Sequence, residues 1–247
     1  MGPGVLNGKR VAFASDRSGN WEIWTSESDG SNPVPLTSLG ASDTGTPRWS
    51  PDGRQIAFDS RKEGHADIYV ISAEGGSPQR LTAGPFENNL PAWSRDGRWL
   101  YFSSDRSGTW QMWKVPARGG AAVQFTRHGA FRGFEYLDGK SLYYWKEGVI
   151  WKMPVEGGQE VRILDNVPGG YWRLWGEGIC FLNLNATPTE LEFFDFASRR
   201  TKRISAIDTG PRVISGAAFD VSPDGKWLLY NRRDQMDSDI MLVENFR

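Results

Sequence analysis

The side chains that could hold a cation recur at one place in the chain. Glu22, Asp67, Glu192 and Asp239 open or lie near the start of short apolar stretches, EIWTSE, DIYVIS, EFFDFA and DIMLVE, and Gln111 takes that place in QMWKVP. Carboxylates gathered at one level are candidate ligands for a hard cation such as Ca²⁺. The other reading is a hydrogen bond or ion pair to a neighbouring loop that recurs because the fold recurs. Asp234, Asp237 and Asp239 cluster locally, but no Gly or Glu completes an EF-hand-like pattern around them. The two histidines, His65 and His128, fall in loops. A catalytic zinc site takes three protein ligands, so no metal site and no cofactor is expected. Cys180, alone in the run ICFL, excludes an internal disulfide and reads as a small buried apolar group. No G-x-S-x-G nucleophile elbow is present, and no room remains for a separate hydrolase domain.

The elements that position these residues repeat. Turn glycines at Gly8, Gly53, Gly97, Gly139, Gly178 and Gly225 are spaced 39 to 47 residues apart. Each is followed by an apolar strand (VAFAS, IAFDS, WLYFSS, LYYW, ICFLN, WLLYN), then a third strand, and in five copies a fourth (PVPLT, QRLT, VQFT, VRIL, KRIS). Asp52-Gly53 is a dipeptide of tight hairpins, where both central residues take positive φ. A period near 40–45 residues with four strands per copy predicts a β-propeller. The expectation is an all-β, six-bladed propeller of four-stranded antiparallel blades, one domain over residues 1–247, with first and last blades incomplete. The segment MGPGVLN stands where an inner strand belongs but carries no Trp-Ser-Pro-Asp signature. An unpaired sheet edge is a liability, so ring closure must involve that segment or a neighbour.

Charge is balanced, with 29 basic and 30 acidic residues, so no bulk field draws nucleic acid or a membrane surface. Neither is expected as a partner. No apolar run reaches the ~20 residues of a spanning helix, and the start, MGPG, carries no signal-peptide features and reads as a domain boundary.

The signature WSPDG, apolar strand, S-D-R-x-G, (D/E)-I-(Y/W), GG, LT resembles the TolB-type (WD40-like Pro-Asp) repeat. It is carried by Trp49-Ser50-Pro51-Asp52-Gly53, Trp93-Ser94-Arg95-Asp96-Gly97 and Ser222-Pro223-Asp224-Gly225. The ending DSDIMLVENFR resembles the C-terminal propeller of CadC/ToxR-like bacterial regulators. That resemblance implies a periplasmic or otherwise extracytoplasmic module of a larger membrane-anchored chain.

Ser15-Asp16-Arg17-Ser18-Gly19 and Ser104-Asp105-Arg106-Ser107-Gly108 read as turns whose aspartates accept backbone N–H bonds, with ligand binding as the alternative. Trp24, Trp113 and Trp151 share one third-strand position and read as inter-blade packing, whereas Trp21, Trp110 and Trp172 adjoin loops. The loops that feed the first strands differ from one another, and variation on a repeated scaffold is where function sits. They supply Thr44, Glu87, Asn88, Asn89, His128, Arg132, Tyr171 and Trp172 as candidate ligand-binding residues, beside Asp43 and Arg212. Together these offer amides, one fixed cation and an aromatic platform. The expected function is non-catalytic binding or sensing of a protein partner or a small ligand (sugar, carboxylate or peptide). The alternatives are a carbohydrate-active lyase or glycosidase, for which Asp43, Glu87 and Asp208 are the available acids, and a structural spacer. If Arg132 is not a ligand group, its expected partner is Glu87 or Glu135.

Overall fold

The computed structural model describes residues 4–6, 9–209, 219–222, 224–234 and 237–244. Blade one comprises β1 (Gly4–Leu6), β2 (Arg10–Ser15), β3 (Glu22–Glu27) and β4 (Val34–Pro35). Blade two comprises β5 (Thr44–Trp49), β6 (Gln55–Ser60), β7 (Asp67–Ser72) and β8 (Gln79–Arg80). Blade three comprises β9 (Asn88–Trp93), β10 (Trp99–Ser104), β11 (Gln111–Pro116) and β12 (Val123–Gln124). Blade four comprises β13 (Phe131–Glu135), β14 (Ser141–Lys146), β15 (Val149–Pro154) and β16 (Val161–Leu164). Blade five comprises β17 (Trp172–Trp175), β18 (Gly178–Asn183), β19 (Thr189–Asp195) and β20 (Arg200–Ile207). The last sheet has β21 (Phe219–Val221), β22 (Trp227–Asp234) and β23 (Asp237–Glu244). Every pairing is antiparallel between strands consecutive in sequence.

The expectation of six four-stranded blades is corrected. Among the described residues five blades have four strands, and the last sheet has three. Blade one, expected to be incomplete, is complete, because Gly4–Leu6 pairs with Arg10–Ala12 despite lacking the inner-strand signature.

Each sheet presents apolar residues on both faces, and these faces meet between neighbours. Ala12 and Ile23 pack with Ile56, Phe58 and Ile71 of blade two. Ile68 and Val70 pack with Leu100 and Phe102 of blade three. Tyr101 and Met112 meet Leu142 and Tyr144 of blade four, and Ile150 meets Ile179 and Phe181 of blade five. Leu182 and Phe193 meet Leu228 and Tyr230 of the last sheet, whose Leu229 packs on Val11 and Phe13. The ring is thus closed by side-chain packing. Each fully buried side chain of this size contributes roughly 1.5–3 kcal/mol.

In blades two and three and in the last sheet, Ser-x-Asp-Gly builds the turn after the inner strand. Ser50 Oγ donates to Asp52 Oδ1 at 2.6 Å, accepts from Gln55 N at 2.9 Å, and Arg54 N donates to Asp52 at 3.1 Å. Ser94, Asp96 and Trp99 repeat this, as do Ser222, Asp224 and Trp227. Gly53 has positive φ but Asp52 does not. The hairpin therefore departs from the two-residue turn its Asp-Gly suggests: the aspartate accepts turn N–H groups from a right-handed conformation and only the glycine turns left-handed.

The recurrent acid at the start of the third strand is a clamp. Thr82 Oγ1 donates to Asp67 at 2.8 Å and accepts from Ile68 N at 2.9 Å. Thr37 does the same between Glu22 and Ile23, and Thr126 between Gln111 and Met112. The position reads as hydrogen-bonded structure in these three blades. In blade five it falls to Glu190, which pairs with Arg203 at 3.0 Å, because Asn183 opposes Glu190 and not Glu192. The side chains of Asp234, Asp237 and Asp239 lie outside the described residues. Thr82→Val should destabilise the domain by about 2 kcal/mol, since it strips a donor from a buried carboxylate and an acceptor from a buried N–H. Urea unfolding measures this; a change within error would show that the clamp is dispensable.

Candidate functional site

The inner strands line a central channel with two polar levels. At the first, Arg48 of β5 and Arg173 of β17 flank Asp220 of β21. Arg48 Nη1 lies 3.9 Å and Arg173 Nε 3.4 Å from its carboxylate. Their register partners, Ala57, Cys180 and Leu229, show that the three occupy equivalent positions. Arg173 also stacks on Phe134, 4.8 Å from the ring centroid. Burial pushes the Arg173 guanidinium down to about 9, and the neighbouring Arg48 adds to this while Asp220 opposes it. These groups line a cavity of about 210 Å³ together with Trp93, Arg95 and Glu135.

The second level lies two residues earlier along the strands. Thr46, Leu90 and Arg132 have φ of 49°, 58° and 50°, in the left-handed region that non-glycine residues rarely adopt. Each sits at the register shift of its inner strand. Such a bulge re-aims a side chain, and all three line one cavity of about 410 Å³ at the channel mouth. At two of the bulges the freed N–H is capped from the preceding blade. Leu90 N donates to Asp59 Oδ2 at 2.8 Å, and Arg132 N donates to Ser103 Oγ at 3.0 Å. Asp59 and Ser103 hold equivalent places on β6 and β10, so a hydroxyl suffices for the cap and Asp59 adds a charge. Thr46 Oγ1 also donates to Asp59. Burial pushes the Asp59 carboxyl up to about 6; the Thr46 and Leu90 hydrogen bonds oppose this, Asp43 adds to it and Arg132 opposes it.

Arg132 is 3% exposed. Its Nη1 donates to Gly170 O at 3.1 Å, while its Nε is buried without a partner. Burial, with Arg173 and Arg48 nearby, holds its guanidinium well below its ordinary range, although Asp59 and Asp220 oppose the shift. Across the cavity, Asp43 Oδ1 and Asn89 Oδ1 are buried and accept no hydrogen bond. Burial also raises the Asp43 carboxyl, against the attraction of Arg61.

With this geometry, residues 6–163 match the family of the Tricorn protease N-terminal beta propeller domain, more than half of the chain. The chain belongs to that family. This propeller is similar in fold to TolB from Acinetobacter baumannii, with a TM-score of 0.77 and 16% identity over 96% of this chain and 61% of that one. It thus spans about three fifths of that relative's length. The oligogalacturonate lyase of Vibrio parahaemolyticus gives a TM-score of 0.63 at 14% identity, covering 96% and 86% of the two chains. A chain of a nidogen/laminin complex gives 0.68 at 14% identity, covering 93% and 92%. Comparison with curated proteins gives no match. The likeness confirms a TolB-like propeller and, at these identities, shows the fold alone.

Of the residues singled out in the loops, Asn89, Arg132 and Asp43 come together at this propeller's mouth cavity. Asn88 is buried and bonds Asp67 at 3.1 Å and Ser104 at 2.8 Å, which joins two blades. Thr44 is buried against Ser60. Glu87 takes both Nη atoms of Arg61, at 2.9 and 2.6 Å, and Glu135 accepts from Arg95 N, so neither pairs with Arg132. His128 is exposed, 3.8 Å from Glu160. Tyr171 packs against the blade-five core. Trp172 is 0% exposed and packs edge-on to Phe134, so its ring offers no platform. Arg212 lies outside the described residues. Asp59, Thr46, Phe131 and Trp145 are cavity residues that the loop comparison misses. Asp59 carries a legible signal, an acid where the next blade has serine.

In the second of the two Ser-Asp-Arg turns the aspartate accepts a backbone N–H, as expected, but from a neighbouring loop and not from its own turn: Asp105 Oδ1 accepts Glu87 N at 3.0 Å. The arginines carry the contacts. Arg17 lies over Phe13 and Trp24, and Arg106 over Phe102 and Trp113, 4.8–5.4 Å from the ring centroids. Trp24, Trp113 and Trp151 are partly buried against the core, and Trp21 is 36% exposed.

Asp59 is held with a raised pKa, so its folded form binds a proton more tightly than the unfolded chain does. Its contribution to stability is complete below pH ~4, the unfolded carboxyl range, and is lost as pH rises through about 6. Asp59→Asn should therefore raise the melting temperature at pH 7.5 relative to wild type and leave it nearly unchanged at pH 4.5. Equal shifts at both pH values would contradict the assignment.

Proposed function

We propose that this propeller is a non-catalytic binding or sensing module whose ligand enters the 410 Å³ mouth cavity. The observation that carries the reading is a cavity of small-molecule size whose lining residues include three with buried, unpartnered polar atoms: Arg132 Nε, Asp43 Oδ1 and Asn89 Oδ1. Unsatisfied buried polar atoms cost about 1–3 kcal/mol each, a cost that a bound ligand would relieve. A spacer domain gains nothing from such a cavity. A lyase or glycosidase needs two cooperating groups, and the three acids considered for it are dispersed. Asp43 lines the cavity, Glu87 is committed to Arg61, and Asp208 is exposed elsewhere. An extracytoplasmic location within a larger chain belongs to the same proposal; its support is the TolB likeness.

A thermal-shift screen of sugars, carboxylates, amino acids and short peptides tests the reading. At least one compound should stabilise the protein, and Arg132→Gln should weaken its affinity about tenfold or more, ~1.4 kcal/mol. Ligands that bind equally well to Arg132→Gln would move the site elsewhere. Turnover of a glycoside or polyuronate, abolished by Asp59→Asn, would replace binding with catalysis.

A further inference from the structure

We infer that the mouth cavity binds a small zwitterion, an α-amino acid or the amino acid-like end of a peptide. Its carboxylate would lie on Arg132 and its ammonium among Asp59, Asp43 and Asn89. The inference deepens the binding reading above and rests on it.

The cavity has two ends of opposite sign. At one end Arg132 is nine-tenths buried, forms no ion pair with a described carboxylate, and has its Nε unpartnered. Behind it stand Arg48 and Arg173, which share one carboxylate, Asp220. Among the described residues Asp220 contacts Arg48 and Arg173 and does not contact Arg132. The planar guanidinium with a free Nε suits a carboxylate, which it can meet with two parallel hydrogen bonds.

At the other end Asp43 Oδ1 and Asn89 Oδ1 are buried and accept nothing, and the Asp59 carboxylate faces the same space. The nearest cation, Arg61, is committed to Glu87 through both Nη atoms. An ammonium group, with three donors, matches these two unfilled acceptors together with the Asp59 carboxylate. A metal ion is a poorer match, because no three His, Cys, Asp or Glu side chains converge among the described residues.

Asp59 and Arg132 influence each other's ionisation yet form no direct pair. Opposite charges held apart across a cavity in a low-dielectric interior form a dipole, and a zwitterion is its complement. A simple carboxylate would satisfy one end and leave the acids facing one another. Leu90, Phe131 and Trp145 supply apolar lining of the same cavity, on which a side chain would rest.

The ligand series tests this on the unaltered protein, so folding of a variant is not at issue. Calorimetry would compare the protein L-amino acids with their N-acetyl derivatives and with the matching decarboxylated amines. At least one amino acid should bind, and blocking either end should weaken it about tenfold or more. In Asp43→Asn the penalty for N-acetylation should shrink, and in Arg132→Gln the penalty for decarboxylation should shrink. Affinity for the parent amino acid should rise between pH 5 and pH 7.5 as Asp59 ionises; Asp43, Arg48 and Arg132 are the charged groups facing it.

The inference is overturned if no amino acid binds, or if the blocked derivatives bind as well as the parent. If a sugar or plain carboxylate binds instead and Arg132→Gln weakens it, the mouth site stands and only the zwitterion falls. If binding of every ligand ignores Arg132→Gln, both fall.

Discussion

The threonine clamp on the third-strand acid is the interaction on which the arrangement of blades depends. Its acid reaches beyond its own sheet. Asp67 Oδ1 takes Thr82 of the fourth strand and also Asn88 Nδ2, the first residue of the next blade. Glu22 takes the backbone N–H groups of Leu39 and Gly40 in the loop that leads to blade two, at 2.6 and 2.8 Å. A single side chain thus fixes where one blade stops and where the following inner strand starts. The bulges at Thr46 and Leu90 come a few residues later, so the mouth cavity inherits its geometry from these clamps. In blade three a neutral amide does the same work, with Gln111 Oε1 accepting from Thr126 and Gly129. Acceptor geometry, more than charge, is what the position requires.

Much of the scaffold was legible because its signals are local. The Ser-x-Asp-Gly turn announces the first hairpin of blades two and three and of the last sheet, and the alternation in IAFDS and DIYVIS announces the strands of blade two. The inner strand of blade one illustrates the limit. Gly4–Leu6 pairs with β2 although it carries no signature. The short outer strands were legible as a Leu-Thr ending, whose threonine the clamp explains. The two-stranded turn geometry was misjudged at Asp52, since Asp-Gly is compatible with several loops and only the register decides.

The site was legible to a lesser degree. Asn89 and Arg132 were found from the unlike loops, but Asn88, adjacent to one of them, points into the blade interface instead. Successive residues of a strand face opposite sides, and the bulge shifts the parity at this very place. Trp172 was misassigned for a related reason: it begins β17 and is buried there against Phe134. Asp59 lies on a second strand, outside the loops, and only the comparison with Ser103 marks it as unusual.

The three left-handed residues of the inner strands have an evolutionary consequence. Blades two, three and four each deliver one side chain to a common cavity from a backbone conformation that costs of order 1–3 kcal/mol and is braced from the preceding blade at Leu90 and Arg132. The brace engages main chain, not the delivered side chain. Leu90 and Arg132 are therefore interchangeable parts on a fixed mount. A lineage can retune what the mouth accepts by single replacements at these positions, one blade at a time, without disturbing the packing that holds the ring together.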